Sequence, residues 1–385
     1  MGSIKIKFII LSVIALLNNC YAESFSQYTQ NQISEFSNYK SKLDKEFKEY
    51  KKAQEEALKE FRNALSKKWP KTEIEFSTPY KWVEYDKKLN SKKAIDYKNN
   101  NITMEVICKN DQEAKKKFAH MLNGIFDTDV ASAYKHDILE DKIAKKIKQK
   151  KYKVVSHEQL IADVVSKKEK DRLKEELNQS KYNFVSYNGK KIYKVTLPLP
   201  SDAILKKASK FKPYVLKYSE VEKIPVALIY AIMHSESSFN PMARSYVPAF
   251  GLMQIVPRTA GIDSYYYLYK KKKMLPSSYL YDANNNIKIG SAYLHIVYYK
   301  YFKNVKDPQS RLYCTIAAYN TGAGNVARAF TGKTNVNRAA LLINKMNSKE
   351  VYKRLLTHLP YDETKHYLKK VTKRVAQYQN IEKGV

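Results

Sequence analysis

A proline-rich segment near the middle of the chain separates two stretches with different patterns. It has the sequence TLPLPSD, from Thr196 to Asp202, and its prolines disfavour a continuing helix or a central strand. Short strand-like runs and charged helical runs precede it, whereas the residues after it are patterned as helices to the end of the chain. We therefore predict an α+β N-terminal domain over residues 69–197 and a mainly helical domain over residues 198–385.

Two β-hairpins are predicted before the proline-rich segment. The first joins strand-like residues 94–97 and 102–106 through three successive asparagines. The second joins residues 184–187 and 192–195 through Asn188-Gly189, a strong signal for a two-residue turn. Residues 82–85 and 151–155 are further strand candidates, and the remainder of residues 111–180 is highly charged and patterned as helix.

The N-terminus has the pattern of a secretory signal. Two lysines precede an apolar run over residues 8–17, which is too short to span a bilayer. We favour a signal peptide over residues 1–22, cleaved after Ala22, and a soluble mature protein in the periplasm. In the alternative, Cys20 is acylated and anchors the protein to the outer membrane, although Asn19 replaces the small residue usual before a lipoprotein cysteine.

The residues after this signal predict one long amphipathic helix over residues 23–68. Residues 25–67 contain neither proline nor glycine, and apolar residues recur at intervals of three and four from Phe36 to Leu65. Unbroken, such a helix would be about 60 Å long. It could be a spacer from a membrane or a helix that packs on the next domain.

The net charge of +32 requires an anionic partner. The chain has 70 Lys and Arg against 38 Asp and Glu. Nucleic acid, an acidic membrane and an anionic cell-wall polymer all qualify, but export argues against nucleic acid. Three cysteines exclude a disulfide scaffold and a cysteine-based zinc array. Cys108 and Cys314 lie in apolar runs and are expected to be core residues.

One carboxylate in the helical half has the setting of a general acid. Glu236 closely follows the apolar run 226–233, which predicts a buried helix, and Phe239 is near it in sequence. Burial favours the protonated carboxyl and raises its pKa, as a general acid requires. A helix-end glutamate is also a common cap, and pairing of Glu236 with Arg244 is the alternative interpretation.

Three later segments add polar groups that could line a site. FGLMQ is an apolar turn in which Gly251 permits close backbone approach and Gln254 could bind an acetamido group. AAYNTGAGN ends a helix in a glycine-containing loop and has the polar pair Tyr319 and Asn320. PYDETKHY, which ends at Tyr367, opens the last helix. Each segment alone is typical of an ordinary helix end; their order is more specific.

In the order ES, GLMQ, AYN and ETxxY, these motifs resemble the soluble-lytic-transglycosylase catalytic domain of the lysozyme superfamily, over residues 200–380. The stretch from Pro79 to Tyr85, with residues 91–97 and 102–107, resembles the N-terminal domain of the membrane-bound lytic murein transglycosylase C family. The resemblance implies a lysozyme-like helical domain that cleaves peptidoglycan glycan strands. The bond lies between N-acetylmuramic acid and N-acetylglucosamine, and the product has a 1,6-anhydro end. No metal or organic cofactor is implied, and no oligomeric state is indicated.

The resemblance also implies roles for individual residues. Glu236 would protonate the leaving oxygen and then take the proton of the attacking C6 hydroxyl, so that one carboxylate suffices where ordinary glycosidases need two. Ser237 follows the catalytic position. It is expected to belong to the substrate-binding region and to support the local structure there. The other substrate-binding positions are Ser245 (where Tyr246 and Val247 replace the usual Pro and Gly), Gln254, Tyr319, Asn320 and Tyr367.

Two other functions fit part of the sequence. A goose-type lysozyme shares the fold but hydrolyses the bond, and it would need a second carboxylate near Glu236 to activate water. A non-catalytic peptidoglycan-binding protein would explain the charge but not the ordered motifs. The ends formed on peptidoglycan, anhydro or reducing, would separate these functions.

Overall fold

The computed structural model describes residues 41–148, 154, 156–161 and 163–383. By its internal contacts the chain divides into two units, residues 1–52 and residues 53–385. Of the first unit, the described residues 41–52 are helical. The predicted signal peptide, the start of the predicted long helix and nearly all of the strand candidate 151–155 lie outside the described residues. Within the range of the predicted long helix, residues 41–66 are helical.

The second unit begins with the helical residues 53–66, here called α1, and continues in the described residues as a mixed region built on a five-stranded antiparallel sheet. Its strand order is β1-β2-β3-β5-β4. Both predicted hairpins are confirmed, and Asn188 and Gly189 have φ of 50° and 71°, the left-handed pair that a tight hairpin turn requires. The strands are β1 (Lys81–Tyr85), β2 (Ser91–Asp96), β3 (Asn101–Cys108), β4 (Asn183–Tyr187) and β5 (Lys190–Pro198).

Among the described residues between β3 and β4 there are four helices, and the first of them packs against β3 and against the last of them. Each begins after a short polar residue whose side chain accepts a hydrogen bond from an amide of the first turn, which satisfies one donor of the helix end. These caps are Asn110, Asp129, Asp137 and Ser166. The helices are α2 (Asp111–Phe126), α3 (Val130–Lys135), α4 (Ile138–Lys146) and α5 (Lys167–Gln179).

After β5 the described chain is helical, so the prediction of an α+β region followed by a mainly helical one is confirmed. Two short π-helical segments occur, at Pro257–Gly261 and at Ile296–Tyr301. The helices are α6 (Ala203–Lys210), α7 (Lys212–Glu222), α8 (Val226–Glu236), α9 (Ile262–Tyr269), α10 (Ser277–Leu280), α11 (Ala283–His295), α12 (Pro308–Thr321), α13 (Ala323–Thr331), α14 (Val336–Ile343), α15 (Ser348–His358) and α16 (Asp362–Lys383).

Helix α8 is the buried helix that the apolar run predicted. Every residue from 227 to 233 is buried, and the helix packs against α7 and α16. It ends because Ser238 and Phe239 have φ of 51° and 66°, which the right-handed helix does not allow. Phe239 is itself 1% exposed, so the chain turns back into the core directly after Glu236.

Buried polar contacts join the mixed region to the helical region. Arg244 forms ion pairs of 2.7 Å with Asp137 and with Glu140 of α4, and its Nε donates to Tyr281 Oη over 3.0 Å. The ammonium of Lys207, which is 2% exposed, donates to the backbone carbonyl of Tyr97. Arg244 was the alternative partner that the sequence offered for Glu236, and it pairs with these carboxylates from the mixed region.

Cys108 and Cys314 are both buried and carry free thiols, as their apolar context predicts. Among the residues described, no helix combines the length and the apolar character needed to cross a bilayer.

Candidate active site

Glu236 is the last residue of α8, and its carboxyl meets a phenol from α16. Tyr367 Oη donates a hydrogen bond of 2.6 Å to Glu236 Oε1. Tyr367 is 5% exposed, and burial, followed by the charge of Glu236, raises the pKa of the phenol well above its usual value. The phenol therefore stays protonated and acts as a fixed donor to one carboxylate oxygen.

The environment of Glu236 favours its neutral form. Desolvation is the main cause and raises the pKa of the carboxyl to about 7, while the Tyr367 hydrogen bond and the charge of Lys370 oppose the rise. The charge of Glu363 acts in the same direction as burial. Near neutral pH a large fraction of Glu236 is therefore protonated, which is the state that a general acid needs.

Tyr319 and Asn320, at the end of α12, approach the same site. Tyr319 Oη donates to the carbonyl of Met253 over 2.8 Å, and burial together with the charge of Glu236 raises its pKa. Asn320 lines the same cleft as Glu236, and its Oδ1 accepts a hydrogen bond of 2.7 Å from Thr364 Oγ1 on α16. The AYN and ETxxY motifs are therefore in direct contact.

The FGLMQ turn is fixed by one buried amide. Asn286, which is fully buried, donates to the carbonyls of Phe250 and Leu280 and accepts from the amide of Met253. Gly251 has φ of 74°, and a Cβ there would lie 2.3 Å from Asn286 Nδ2 and from the Leu280 carbonyl oxygen. Only glycine fits this turn, because both the space and the backbone angle exclude a side chain.

Gln254 follows directly in the left-handed conformation, with φ of 47°. Its side-chain Nε2 donates to the Gly251 carbonyl over 3.1 Å. Met253, beside it, accepts the Tyr319 hydrogen bond through its carbonyl. The turn is thus joined to the AYN motif, and Gln254 is held close to that junction.

Of the expected substrate-binding residues, Asn320 and Tyr367 line the cleft, whereas Ser237, Ser245, Gln254 and Tyr319 are outside the group of lining residues. Ser237 is fully buried; its Oγ lies 2.8 Å from the Leu252 carbonyl and 3.0 Å from the Met233 carbonyl. It therefore ties the end of α8 to the FGLMQ turn and does not reach solvent. Ser245 belongs to a turn in which its Oγ donates to the Val247 carbonyl and its own carbonyl accepts from Gln54 Nε2.

An open cleft of about 460 Å³ exposes Glu236 to solvent. This volume lies within the range of about 300–1,000 Å³ typical of ligand sites. The sequence did not mark some of its residues as functional, notably Tyr80 from the mixed region and Lys370 from α16. The cleft is lined by Tyr80, Ser235, Glu236, Asn320, Glu363, His366, Tyr367 and Lys370.

His234, two residues before Glu236, is a neutral packing residue. Desolvation and nearby cations lower its pKa to about 3. Its ring stacks on Phe239, and its Nδ1 lies 3.1 Å from Tyr378 Oη. Within the described parts of the chain, no three His, Cys, Asp or Glu side chains are grouped so that they could hold a metal ion.

Comparison with known families identifies the class of the helical region. Residues 213–363 match the family model described as the Transglycosylase SLT domain. This range contains Glu236 and most of the other expected site residues, while Tyr367 lies just beyond its end. The chain therefore contains an SLT domain, and the resemblance drawn from the ordered motifs is confirmed.

The curated relatives are more specific. The chain is 44% identical over 189 residues to membrane-bound lytic murein transglycosylase C of Serratia proteamaculans, a match that covers 49% of this chain and 52% of the relative. It is 40% identical over 197 residues to the protein of the same name in Haemophilus ducreyi, covering 50% and 52%. The chain thus spans about half the length of the curated relatives it matches.

Two solved structures show more distant similarity. An inactive variant of the lytic transglycosylase Slt from Pseudomonas aeruginosa aligns with 71% of this chain and 38% of its own, at a TM-score of 0.38 and 18% identity. The 70 kDa soluble lytic transglycosylase from Escherichia coli aligns with 70% and 44%, at a TM-score of 0.35 and 19% identity.

Proposed function

We propose that this protein is a peptidoglycan lytic transglycosylase. It would cleave the β-1,4 bond between N-acetylmuramic acid and N-acetylglucosamine without water and leave a 1,6-anhydro end on the muramic acid, in the course of cell-wall remodelling. The observation that carries this proposal is the carboxyl of Glu236, which opens into a cleft, has a pKa raised to about 7 and is held by a phenol. The SLT domain match supports the same reaction class.

The geometry supports a mechanism in two steps. Because Glu236 Oε1 accepts the Tyr367 hydrogen bond, the transferable proton belongs on Oε2. In the first step Glu236 gives this proton to the glycosidic oxygen, the bond to the anomeric carbon breaks, and positive charge develops on the muramic acid ring. In the second step the C6 hydroxyl of the same sugar attacks the anomeric carbon and gives its proton to the Glu236 carboxylate. Glu236 is thereby returned to its protonated state, and no water is consumed.

The remaining expected site residues would act around this carboxyl. Tyr367 orients Glu236 and stabilises its anion between the two steps. Asn320 lines the cleft and would contact the sugar directly. Gln254 and Tyr319 would act at the FGLMQ turn, where an amide side chain suits an acetamido group. Ser237 and Ser245 would support the surrounding loops.

The cellular location of the protein is a further proposal. Its matched relatives are named membrane-bound, and its N-terminal residues have the pattern of a secretory signal. We propose export to the periplasm, with peptidoglycan glycan strands as the macromolecular partner and an acylated Cys20 as the candidate link to the outer membrane. The intact mass of the mature protein tests this proposal. Acylation adds the mass of the lipid to a chain that keeps Cys20, whereas cleavage after Ala22 removes Cys20 from the mature protein.

Digestion of purified peptidoglycan tests the reaction itself. The muropeptides released by the wild-type protein should carry 1,6-anhydro ends by mass spectrometry. Glu236→Gln keeps the shape of the side chain but removes its acid and base chemistry, so it should lower the rate by several orders of magnitude. Full turnover by this variant would contradict the assignment, and release of no fragment by wild type would favour a binding protein.

Hydrolysis is the second candidate because Glu363 lines the same cleft as Glu236. A second carboxylate is what a goose-type lysozyme mechanism would use to activate water. If hydrolysis is the reaction, digestion in H₂¹⁸O should put the label into reducing ends, and Glu363→Gln should abolish that labelled product. If the lytic reaction is correct, the anhydro product is unlabelled and persists in Glu363→Gln.

A further inference from the structure

The helix that ends in Glu236 leaves one carbonyl to be satisfied from outside. In a continuing helix the amide of Phe239 would donate to the Ser235 carbonyl, but it donates to Ser237 Oγ over 3.1 Å. The Ser235 carbonyl instead accepts hydrogen bonds from Tyr80 Oη over 2.7 Å and from Lys370 Nζ over 3.0 Å. The peptide immediately before Glu236 is therefore held by two side chains from distant parts of the sequence.

Tyr80 is itself held firmly by the sheet. It directly precedes strand β1, and its backbone carbonyl accepts a hydrogen bond of 2.9 Å from the amide of Tyr97. On the other side, the fully buried Asn240 donates from Nδ2 to the carbonyl of Pro79 over 3.1 Å. Tyr80 therefore cannot shift without breaking contacts to both the sheet and the loop that follows α8.

Lys370 lies between the Ser235 carbonyl and Tyr367, the phenol that donates to Glu236. Its Nζ lies 3.5 Å from Tyr80 Oη, and 5.9 and 5.7 Å from the ring centroids of Tyr80 and Tyr367. One turn further along α16, Arg374 Nη1 donates to the Ser235 hydroxyl over 2.9 Å. These cations lie at the C-terminal end of α8, where the helix dipole is negative and positive charge is stabilising.

We propose that Tyr80 and Lys370 are positioning residues that fix the Ser235 peptide and thereby aim the Glu236 carboxyl at Tyr367 and the cleft. Through Tyr80, the mixed region would take part in setting the geometry of the acid, although the acid itself lies in the SLT domain. The part of this proposal that concerns turnover rests on the proposed lytic activity; the part that concerns the Glu236 carboxyl does not.

Both contacts also bear on the charge balance around Glu236. Lys370 and Glu363 from α16 act on it with opposite signs. The phenols that face it are Tyr367 from α16, Tyr319 from α12 and Tyr80 from the turn before β1. Removing the Lys370 ammonium should disfavour the ionised form of Glu236. Removing the Tyr80 hydrogen bond, which offsets the partial negative charge of the Ser235 carbonyl, should have the same effect. Each change should therefore raise the pKa of Glu236.

A matched pair of tyrosines provides the kinetic test. Tyr80→Phe deletes the hydroxyl that reaches Ser235, whereas Tyr85→Phe deletes a hydroxyl at the other end of β1 that donates to the Glu75 carbonyl. We expect Tyr80→Phe to lower kcat roughly fivefold to tenfold with KM nearly unchanged, because one hydrogen bond is lost without a substrate contact. Tyr85→Phe should leave kcat unchanged.

A double-mutant cycle tests whether the two residues act on the same group. Lys370→Met should also lower kcat, and Lys370→Arg, which keeps a charged donor, should recover part of it. Because both side chains bind the Ser235 carbonyl, the effect of the double variant should differ from the product of the single effects. A simple product of the two effects would contradict joint action, and a rise in KM without loss of kcat would make Tyr80 a substrate contact instead.

Titration of the carboxyl keeps this proposal separate from the proposed activity. In protein labelled with ¹³C at the glutamate carboxyls, the Glu236 signal is the one lost in Glu236→Gln. Its midpoint should rise in Tyr80→Phe, rise further in Lys370→Met and stay in place in Tyr85→Phe. A midpoint unchanged in Tyr80→Phe and Lys370→Met would overturn the positioning role. Absence of lytic products from wild type would instead refute the proposed function alone.

Discussion

The phenol of Tyr367 donates a 2.6 Å hydrogen bond to Oε1 of Glu236 and joins two helices whose contact residues are 131 positions apart in sequence. The bond ties the second turn of α16 to the last residue of α8. It leaves Oε2 as the carboxyl oxygen for proton transfer. This relationship organises the site, since both the orientation and the acidity of Glu236 depend on it.

Removal of the phenol should therefore impair turnover. In Tyr367→Phe the carboxyl loses its fixed donor, and hydrogen bonds to charged groups are worth about 1.5–3 kcal/mol. We expect kcat/KM on peptidoglycan to fall roughly tenfold to hundredfold. Tyr378→Phe is the control, because Tyr378 lies on the same helix and its hydroxyl contacts His234. An equal loss in both variants would indicate general damage to α16.

The pH dependence of activity should report the raised pKa of Glu236. In the proposed mechanism the protonated carboxyl is the active form, and its pKa is about 7 because the site is desolvated. The value of kcat/KM should therefore be steady below this pKa and fall as pH rises through about 7. In Tyr367→Phe the fall should move to higher pH, because the hydrogen bond that lowers the pKa is lost. A fall centred near the ordinary glutamate pKa would contradict the desolvated site.

Gly251 should not tolerate a side chain. Gly251→Ala would place Cβ 2.3 Å from Asn286 Nδ2 and from the Leu280 carbonyl, at φ of 74°. We expect the free energy of unfolding to fall by about 3 kcal/mol, measured by urea denaturation. Gly332→Ala separates the two causes, since Gly332 has φ of 70° but nothing within 4 Å of its Cβ position. The free energy of unfolding of Gly332→Ala should fall by only about 1 kcal/mol.

The buried Arg244 should be essential to stability. Its guanidinium pairs with Asp137 and Glu140, and Arg244→Met would leave both carboxylates without this partner. Loss of one member of a buried ion network typically costs about 3–5 kcal/mol. The half-exposed Arg172 pairs with Glu169 and Glu176, so Arg172→Met should lower the free energy of unfolding by less than about 1 kcal/mol. If thermal or urea denaturation showed the same loss of unfolding free energy in both variants, burial of Arg244 would not explain its contribution to stability.

Binding to the cell wall should depend on salt. The protein has a net charge of +32, and the proposed partner is a polymer whose peptide stems carry carboxylates. Salt screens exposed charges beyond about 10 Å at 0.1 M. The fraction of Glu236→Gln protein that sediments with purified peptidoglycan should fall between low and high salt. This variant prevents digestion of the polymer during the measurement. Binding that salt does not change would assign the positive charge to compositional bias.

The sequence by itself indicated the order of the main elements and singled out Glu236 as the candidate acid. Asn188-Gly189 specified a hairpin because few residue pairs adopt two left-handed conformations in succession. The apolar run 226–233 predicted a buried helix, and the carboxylate that follows it has the expected desolvated setting. These features are local, so the residues that cause them are adjacent in the chain.

The partners of these residues were decided only by the tertiary structure. Ser237 is next to Glu236 in sequence, yet the left-handed residues that end α8 turn it into the core. Tyr80 contacts the Ser235 carbonyl from 155 positions away, and Lys370 reaches it from 135 positions in the other direction. A hydrogen bond requires a donor within about 3 Å along a defined direction, and that placement depends on how the sheet packs against α8 and α16. No local pattern in the sequence encodes it.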